Sequence, residues 1–366
     1  MRILILNWKH FADTAAGGAE QYVLRVALEW SSRGHEVTVL VPHPSAARQW
    51  NPASVGRVRV LVQGRRSTIF YTARRYLARH RGDFDLVLES VSTHPFFAHE
   101  LVGDRALVLY HQIADDVWPQ EFPFPVSWVG RRVVEPHWLR RIRGARIVAN
   151  SPSTARDLAD RGVGCVGVVP PGADPAPDPG VRELARSPRA VFVGRLVRTK
   201  RPLDAVRAFS QVRLAFPGAT LDVIGDGYLR EGLGRMSAAG VAVRGFVPDE
   251  LKAALLARAH LMLLPGTREG WGIVAIEAAL RGVPVVAYDV GGLRDAVVAG
   301  ETGDLTAADP EALGAAAVAL LREPDRWQRY SVAAQRRACE YTWPDTAQKL
   351  LELLTCERPQ AERSAA

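Results

Sequence analysis

The stretch Leu261–Ala287, L-M-L-L-P-G-T-R-E-G-W-G-I-V-A-I-E-A-A-L-R-G-V-P-V-V-A, constrains the fold more than any other part of the chain. It reads as strand, loop, helix, strand. Leu261–Leu264 is a short apolar run stopped by Pro265-Gly266, the pattern of a strand buried on both faces. Gly282 closes a helix, Pro284 follows, and Val285–Ala287 opens a second buried strand. Gly270 and Gly272 sit where the loop becomes the helix's first turn. A helix start presents free backbone N–H groups and a positive dipole end, so it attracts anions, phosphate above all. Glycine there lets a ligand approach the backbone closely.

The same order opens the chain. Met1–Asn7 is a near-continuous apolar strand, followed by a polar loop, Gly17-Gly18-Ala19-Glu20, an amphipathic helix ending at Arg33-Gly34, and a strand at His35–Pro42. Strand, helix, strand in this order predicts a parallel sheet with crossover helices. Further strand signals lie at Val58–Val62, Leu86–Leu88, Ala106–Tyr110, Arg146–Ala149, Ala190–Val193, Leu221–Gly227 and Val241–Val247. Asp174–Pro188 is rich in proline, glycine and polar residues, the composition of a linker. A chain of 366 residues has room for about two cores. The expected architecture is α/β, with Rossmann-like doubly wound domains at 1–174 and 189–341. Residues 175–188 join them, and 342–366 form a terminal amphipathic helix and tail.

Two acids bracket the glycine turn, Glu269 before it and Glu277 eight residues later inside the helix. Glu277 rises from apolar Ile276 and Ala278-Ala279, so its carboxylate needs partners. Vicinal sugar hydroxyls would supply two donors to its two oxygens. On the spacing alone, helix capping by Glu269 and a surface salt bridge by Glu277 are the favoured reading. Other sites leave the same choice open. Gly17 and Gly18 open a helix, as a ligand site or as a simple tight turn, and they do not form G-x-G-x-x-G. His111 follows a strand, with Asp115 and Asp116 in the next turn; ligands gather there in open sheets, although a lone histidine usually serves packing. Arg195 and Lys200 suit a phosphate by chemistry, or a solvated surface by default.

The stretch Glu269–Ala278, followed by Gly282–Val286, resembles the E-x7-E signature of retaining glycosyltransferases of the GT-B fold, particularly glycosyltransferase family 4. Gly194–Lys200 resembles the family's G-R-L-x-x-x-K, Leu221–Gly227 its V-G-D-G, and Val241–Val247 its V-x-F-x-G-x-V. Ala149–Ala155, Val168–Asp174, Val290–Gly292 and the early G-G-A-E also match. The resemblance covers residues 2 to about 355, and it is more specific in the C-terminal half. It implies two domains facing a central cleft, with the last helix crossing back to the N-terminal one. It further implies that Glu269 contacts the donor sugar and Glu277 the nucleotide ribose, with the amides of Gly270, Trp271, Gly272, Ile273 and Val274 at the diphosphate. Arg195 and Lys200 would face that diphosphate. Gly18, Gly225, Gly245, Phe246 and Val247 would line the donor, and His111 would meet the donor sugar from the other domain. Gly17, Gly18, Asp115 and Asp116 are candidates for acceptor binding. Asp304 departs from the family's apolar pattern, which would alter a local turn. The implied activity is retaining transfer from a nucleotide-diphosphate sugar to an acceptor hydroxyl, with no metal or other cofactor. A phosphate or nucleotide-sugar binding protein without turnover and a nucleotide-sugar epimerase are the alternatives.

Composition narrows the partners. Three separated cysteines, Cys165, Cys339 and Cys356, argue for a reducing cytosol and against a disulfide framework or zinc site. Ile3–Leu6 is too short for a signal peptide or a membrane span. The net charge of +8 comes almost wholly from arginine, since the chain has only Lys9, Lys200, Lys252 and Lys349. No zinc-finger or aromatic-and-basic strand pattern accompanies it, so nucleic acid is not expected. Six arginines lie between Arg65 and Arg81, and six between Arg131 and Arg146 with only Glu135 among them. The second group is mixed with Trp128, Val133, Val134, Trp138, Leu139 and Ile142, as in an interfacial helix. An ordinary solvated face is the default for these clusters; peripheral contact with an anionic membrane and an anionic acceptor fit them too, and the acceptor is either lipid-linked or a small molecule such as a natural-product precursor, or a polysaccharide.

Overall fold

Apolar runs of four to six residues become strands, each buried along most of its length. The computed structural model describes residues 1–13, 16–45, 55–180, 182–235 and 239–356. In chain order the first sheet comprises β1 (Arg2–Leu6), β2 (Glu36–Val41), β3 (Arg59–Val62), β4 (Leu86–Val91), β5 (Ala106–Tyr110), β6 (Arg146–Ala149) and β7 (Gly167–Val168). Its spatial order is β3-β2-β1-β4-β5-β6-β7, with every pairing parallel. The second sheet comprises β8 (Arg189–Val193), β9 (Thr220–Ile224), β10 (Val241–Gly245), β11 (Leu261–Leu264), β12 (Val285–Tyr288) and β13 (Gly303–Thr306). Its order, β10-β9-β8-β11-β12-β13, is likewise parallel. In both, the first strand sits mid-sheet and the winding reverses beside it, between β1 and β4 and between β8 and β11. That is the doubly wound arrangement, in which such a reversal opens a crevice at the C-terminal strand ends.

Each sheet belongs to its own compact unit. Unit 1 holds Met1–Gly172 together with the chain from Trp343 onward, and unit 2 holds Ala173–Thr342. The helix Trp343–Thr355 completes unit 1. Trp30 Nε1 donates to Ala347 O at 2.9 Å, Thr346 Oγ1 donates to Pro170 O at 2.9 Å, and Tyr22 and Trp343 lie with ring centroids 5.8 Å apart. The proline-rich segment after Asp174 runs along unit 2, where Gln335 donates to Asp178 at 3.1 Å and Arg182 to Arg281 O at 2.6 Å. Residue 181 of this segment and the tail from 357 lie outside the described residues.

Two strands escaped the sequence pattern. β7 has two residues, too few for any period to show. β13 contains Asp304, expected merely to alter a turn; instead it occupies a strand, where Arg326 Nη2 at 2.7 Å and Tyr330 Oη at 3.0 Å satisfy the carboxylate. A paired acid is tolerated at the rim of a sheet where an unpaired one is not.

Candidate functional site

In unit 2, the loop after β8 carries Arg195 and Lys200, and the loop after β11 carries Glu269 and Gly270. Because β8 and β11 are neighbours at the reversal point, residues about 70 apart in sequence emerge side by side. Thr267 N–H donates to Thr199 O at 2.9 Å and ties the two loops together. The Lys200 ammonium then pairs directly with the Glu269 carboxylate. Arg195 is exposed; its carbonyl accepts from Val197 N–H at 3.0 Å, and its guanidinium has no hydrogen bond or ion pair with a described residue. Gly292 N–H donates to Glu269 O at 3.1 Å, and a Cβ at Gly292 would lie 2.4 Å from the Gly270 carbonyl carbon, so this loop accepts no side chain there.

Gly272, at φ +96°, turns the chain into the helix Ile273–Ala279. Glu277 leaves that helix 6% exposed, and Lys252 Nζ lies 3.1 Å from its carboxylate. The ammonium donates to Oε1 and faces Oε2 at the same distance as an ion pair without hydrogen-bond geometry. Burial alone would lower the Lys252 pKa; the Glu277 and Asp249 carboxylates outweigh it and hold the ammonium above its ordinary value. Lys252 was not singled out from sequence, although the scarcity of lysine in the chain was a usable signal. Trp271 is not at a surface: it is buried, edge-on to Tyr341 at 5.1 Å, with Nε1 unpartnered among the described residues. Ile273 and Val274 are half-buried against the core of unit 2.

The Gly225-Asp226-Gly227 turn packs on the Gly194–Leu196 loop. Gly225 N–H is taken by Gly245 O at 2.8 Å, and Leu196 N–H donates to Asp226 O at 2.8 Å. A Cβ on Gly225 would lie 1.8 Å from Gly194 O. The glycine therefore allows two loops to touch, and its amide is committed to the backbone. Gly245 takes φ +70° under the Arg230 side chain, Val247 is buried, and Phe246 stands 52% exposed. A cavity of about 620 Å³, lined in part by Asp226, Tyr228 and Arg230, borders this turn and touches neither acid.

In unit 1, His111 follows β5 and is buried, its Nε2 3.0 Å from Ser90 Oγ and its ring edge-on to Tyr22 at 5.6 Å. Burial pulls its pKa down to about 3, so the imidazole is neutral near pH 7. Gly17 N–H is capped by Glu20 Oε2 at 2.7 Å, while Glu20 Oε1 is buried without a partner. Gly18 begins the helix Gly18–Ser32. Asp115 is held by Arg131 and Arg161, each at 2.6 Å, and Asp116 by Arg131 at 2.9 Å. Of the Arg131–Arg146 cluster these two acids engage Arg131 alone, and Arg161 joins it from outside. Glu135 itself is buried and accepts from Ala114 N, Asp115 N and Trp118 Nε1. Glu89, another buried acid unnoticed in the sequence, accepts the N–H groups of Phe96, Phe97 and Ala98. Burial raises both carboxyls above their ordinary range despite those donors. Asp83-Phe84-Asp85 has the D-x-D spacing of some metal sites, but Asp83 pairs with His80 at 2.7 Å and Asp85 with Arg2 at 3.1 Å just before β4.

Residues 16–177 match the family model described as Glycosyltransferase Family 4, and residues 187–323 the model described as Glycosyl transferases group 1. A D-inositol 3-phosphate glycosyltransferase of Nocardia farcinica is 33% identical, over 92% of this chain and 84% of that protein. A glycogen synthase of Mycobacterium tuberculosis is 29% identical, over 95% and 92%. Among solved structures, a sucrose-phosphate synthase from Thermosynechococcus elongatus superposes with a TM-score of 0.74 at 21% identity, over 100% of both chains. Anabaena HepE in complex with UDP and glucose gives 0.73 at 20% identity, over 98% of this chain and 100% of that one. At such identities the two structures speak for the fold.

Proposed function

Since this chain belongs to glycosyltransferase family 4, with the two-unit GT-B fold, we propose that it moves a sugar from a nucleotide-diphosphate donor to an acceptor hydroxyl with retention of anomeric configuration. The observation that carries the reading is the Lys200–Glu269 pair at the reversal point of unit 2, with Arg195 free beside it and Glu277 buried behind the glycine turn. The donor diphosphate draws the Lys200 ammonium away from Glu269, and a hydroxyl of the donor sugar replaces it there. Glu277 accepts from the ribose hydroxyls, and Lys252 pairs with the same carboxylate from within the unit. The acceptor oxygen forms its bond to the anomeric carbon on the face from which the diphosphate departs. The acceptor proton passes to a departing phosphate oxygen as the old C–O bond breaks. Arg195 and Lys200 stabilise the charge that develops on the diphosphate, which makes the reaction independent of a metal. His111, neutral and hydrogen-bonded to Ser90, exchanges no proton in this reading. The acceptor is anionic or carried at a membrane.

Titration of the wild type, Glu269→Gln and Glu277→Gln with UDP and UDP-glucose tests the assignment. Glu277→Gln weakens both ligands by about tenfold or more, the size of a lost charge-assisted hydrogen bond. Glu269→Gln weakens UDP-glucose and leaves UDP within about twofold. Equal loss of both ligands in Glu269→Gln refutes the division of roles. If the wild type binds none of a panel of nucleotide sugars, the donor reading fails.

A further inference from the structure

Between β5 and β6 the chain of unit 1 leaves its sheet and exposes apolar side chains that nothing in the unit covers. Phe122, Phe124, Val126, Trp128, Val129 and Val133 are all exposed, Phe124 to 80% and Trp128 to 54%. They lie on and just before one continuous helical run, Val126–Val129, the π-turn Gly130–Val134 and Glu135–Arg141. Positions 126, 129 and 133 share a face at helical spacing. The run is held firmly from beneath. Trp118 lies where a Cβ on Gly130 would sit 2.2 Å from its ring, and its Nε1 donates to the buried Glu135 at 3.2 Å. This face differs from the expected one: Leu139 and Ile142 point into the core, and Trp138 packs on His94 at 4.4 Å.

A cavity of about 500 Å³ adjoins the same run, lined by Arg131, Arg132, Arg140, Arg143 and Arg161 against the carboxyls of Asp115 and Glu135. Arg131 and Arg161 are spent on Asp115. The Arg143 guanidinium donates to a carbonyl, that of Arg161 at 3.3 Å, while the guanidinium groups of Arg132 and Arg140 have no hydrogen bond or ion pair with a described residue. We propose that residues 122–143 form a docking surface for an anionic lipid membrane, with the aromatic face entering the headgroup boundary and the arginine cavity taking a lipid phosphate. A soluble phosphorylated ligand would satisfy the guanidinium groups and leave Phe124 and Trp128 in water. An uncharged apolar partner would bury the aromatics and leave the cations unmatched. An anionic lipid surface answers both, since apolar insertion and basic attraction act together at such an interface. No helix among the described residues is long and apolar enough to cross a membrane, so attachment is to the surface. The inference rests on the glycosyl-transfer reading for one consequence, that the acceptor is lipid-borne.

Flotation of the full chain tests this, with vesicles of phosphatidylcholine alone and of phosphatidylcholine containing one-third phosphatidylglycerol. The wild type floats with the anionic vesicles only, and recovery falls as salt is raised. Phe124→Ser with Trp128→Ser reduces the partition coefficient about tenfold or more. Arg132→Gln with Arg140→Gln reduces it roughly fivefold per arginine. The four side chains are exposed, so both variants keep the wild-type melting temperature. Absence of flotation with either vesicle, or flotation that both variants retain, overturns the proposal. It is overturned equally by a wild-type dimer that Phe124→Ser with Trp128→Ser dissolves in the absence of lipid binding, because the face then meets a second copy. Thermal stabilisation by nucleotide sugars in lipid-free buffer, measured on the same preparations, reports on the donor site separately, so either reading can fail alone.

Discussion

Lys200 and Lys252 each answer one of the two acids of the E-x7-E stretch, but in different surroundings. The Lys200–Glu269 pair keeps only 20% and 15% of its side chains exposed, so donor contacts must replace the ion pair as it opens. The Lys252–Glu277 pair is more enclosed, and removing either partner would strand a buried charge. His111 shows the opposite strategy, a group kept neutral by burial. Its sign in pH-dependent stability follows directly. The unfolded chain takes a proton near the ordinary histidine pKa of about 6.5, whereas the folded one does not until about pH 3. Its stabilising effect is therefore complete above about pH 6.5 and is lost progressively as pH falls towards 3. Between about pH 7 and about pH 5 this one residue accounts for roughly 2 kcal/mol of the stability lost by unit 1. Urea unfolding of wild type and His111→Gln at both values measures it. The variant loses less stability on acidification, and equal losses would show that the imidazole is not sequestered.

At the scale of elements, the glycines divide by what stands beside them. Gly225 sits at φ +136° with Gly194 O in the place of a side chain, so Gly225→Ala forces two loops apart and costs about 3 kcal/mol or more in unit 2. Gly232, inside the helix Arg230–Arg235 with open space around its Cβ position, gains from the same change: Gly232→Ala stabilises by about 0.5–1 kcal/mol. Thermal unfolding of the two variants side by side checks the contrast, and matched shifts would refute it. Sequence could not separate these glycines, because the difference lies in a loop thirty residues upstream. The strands were legible where both faces are buried, as in Leu261–Leu264 and Ala106–Tyr110, since an unbroken apolar run needs no partner to be recognised. β13 and β7 were not, one polar and the other two residues long. The acids and cations at the strand ends were singled out through resemblance to the family's motifs, since their spacing alone fits capping and surface pairing. Their partners were not: Lys252 for Glu277, and Arg131 and Arg161 for Asp115, are matched only by the fold.

For the molecule as a whole, the excess of arginine is less free than its net charge of +8 implies. Arg74 and Arg141 converge on Glu100, Arg146 donates to the Leu354 carbonyl at 3.2 Å, and Arg182 holds three carbonyls of unit 2. Many of these cations act as fasteners between chain segments, while Arg132 and Arg140 are among those that stay exposed. The helix Trp343–Thr355 is the largest such attachment, burying Trp343, Leu350 and Leu354 in unit 1. A chain ending at Thr342 loses about 1.5–3 kcal/mol for each of those side chains, together with the bond to Trp30. Two-probe unfolding then shows unit 1 melting well before unit 2, and a single unchanged transition would contradict that division of stability.

Unit 1 is therefore begun by the earliest residues and closed by ones that follow the whole of unit 2. On the ribosome, unit 2 has every strand of its sheet available while unit 1 still waits for its covering helix. The half of the protein translated first is the half that matures last, and in that interval the face around Tyr22 and Trp30 is what a chaperone would find.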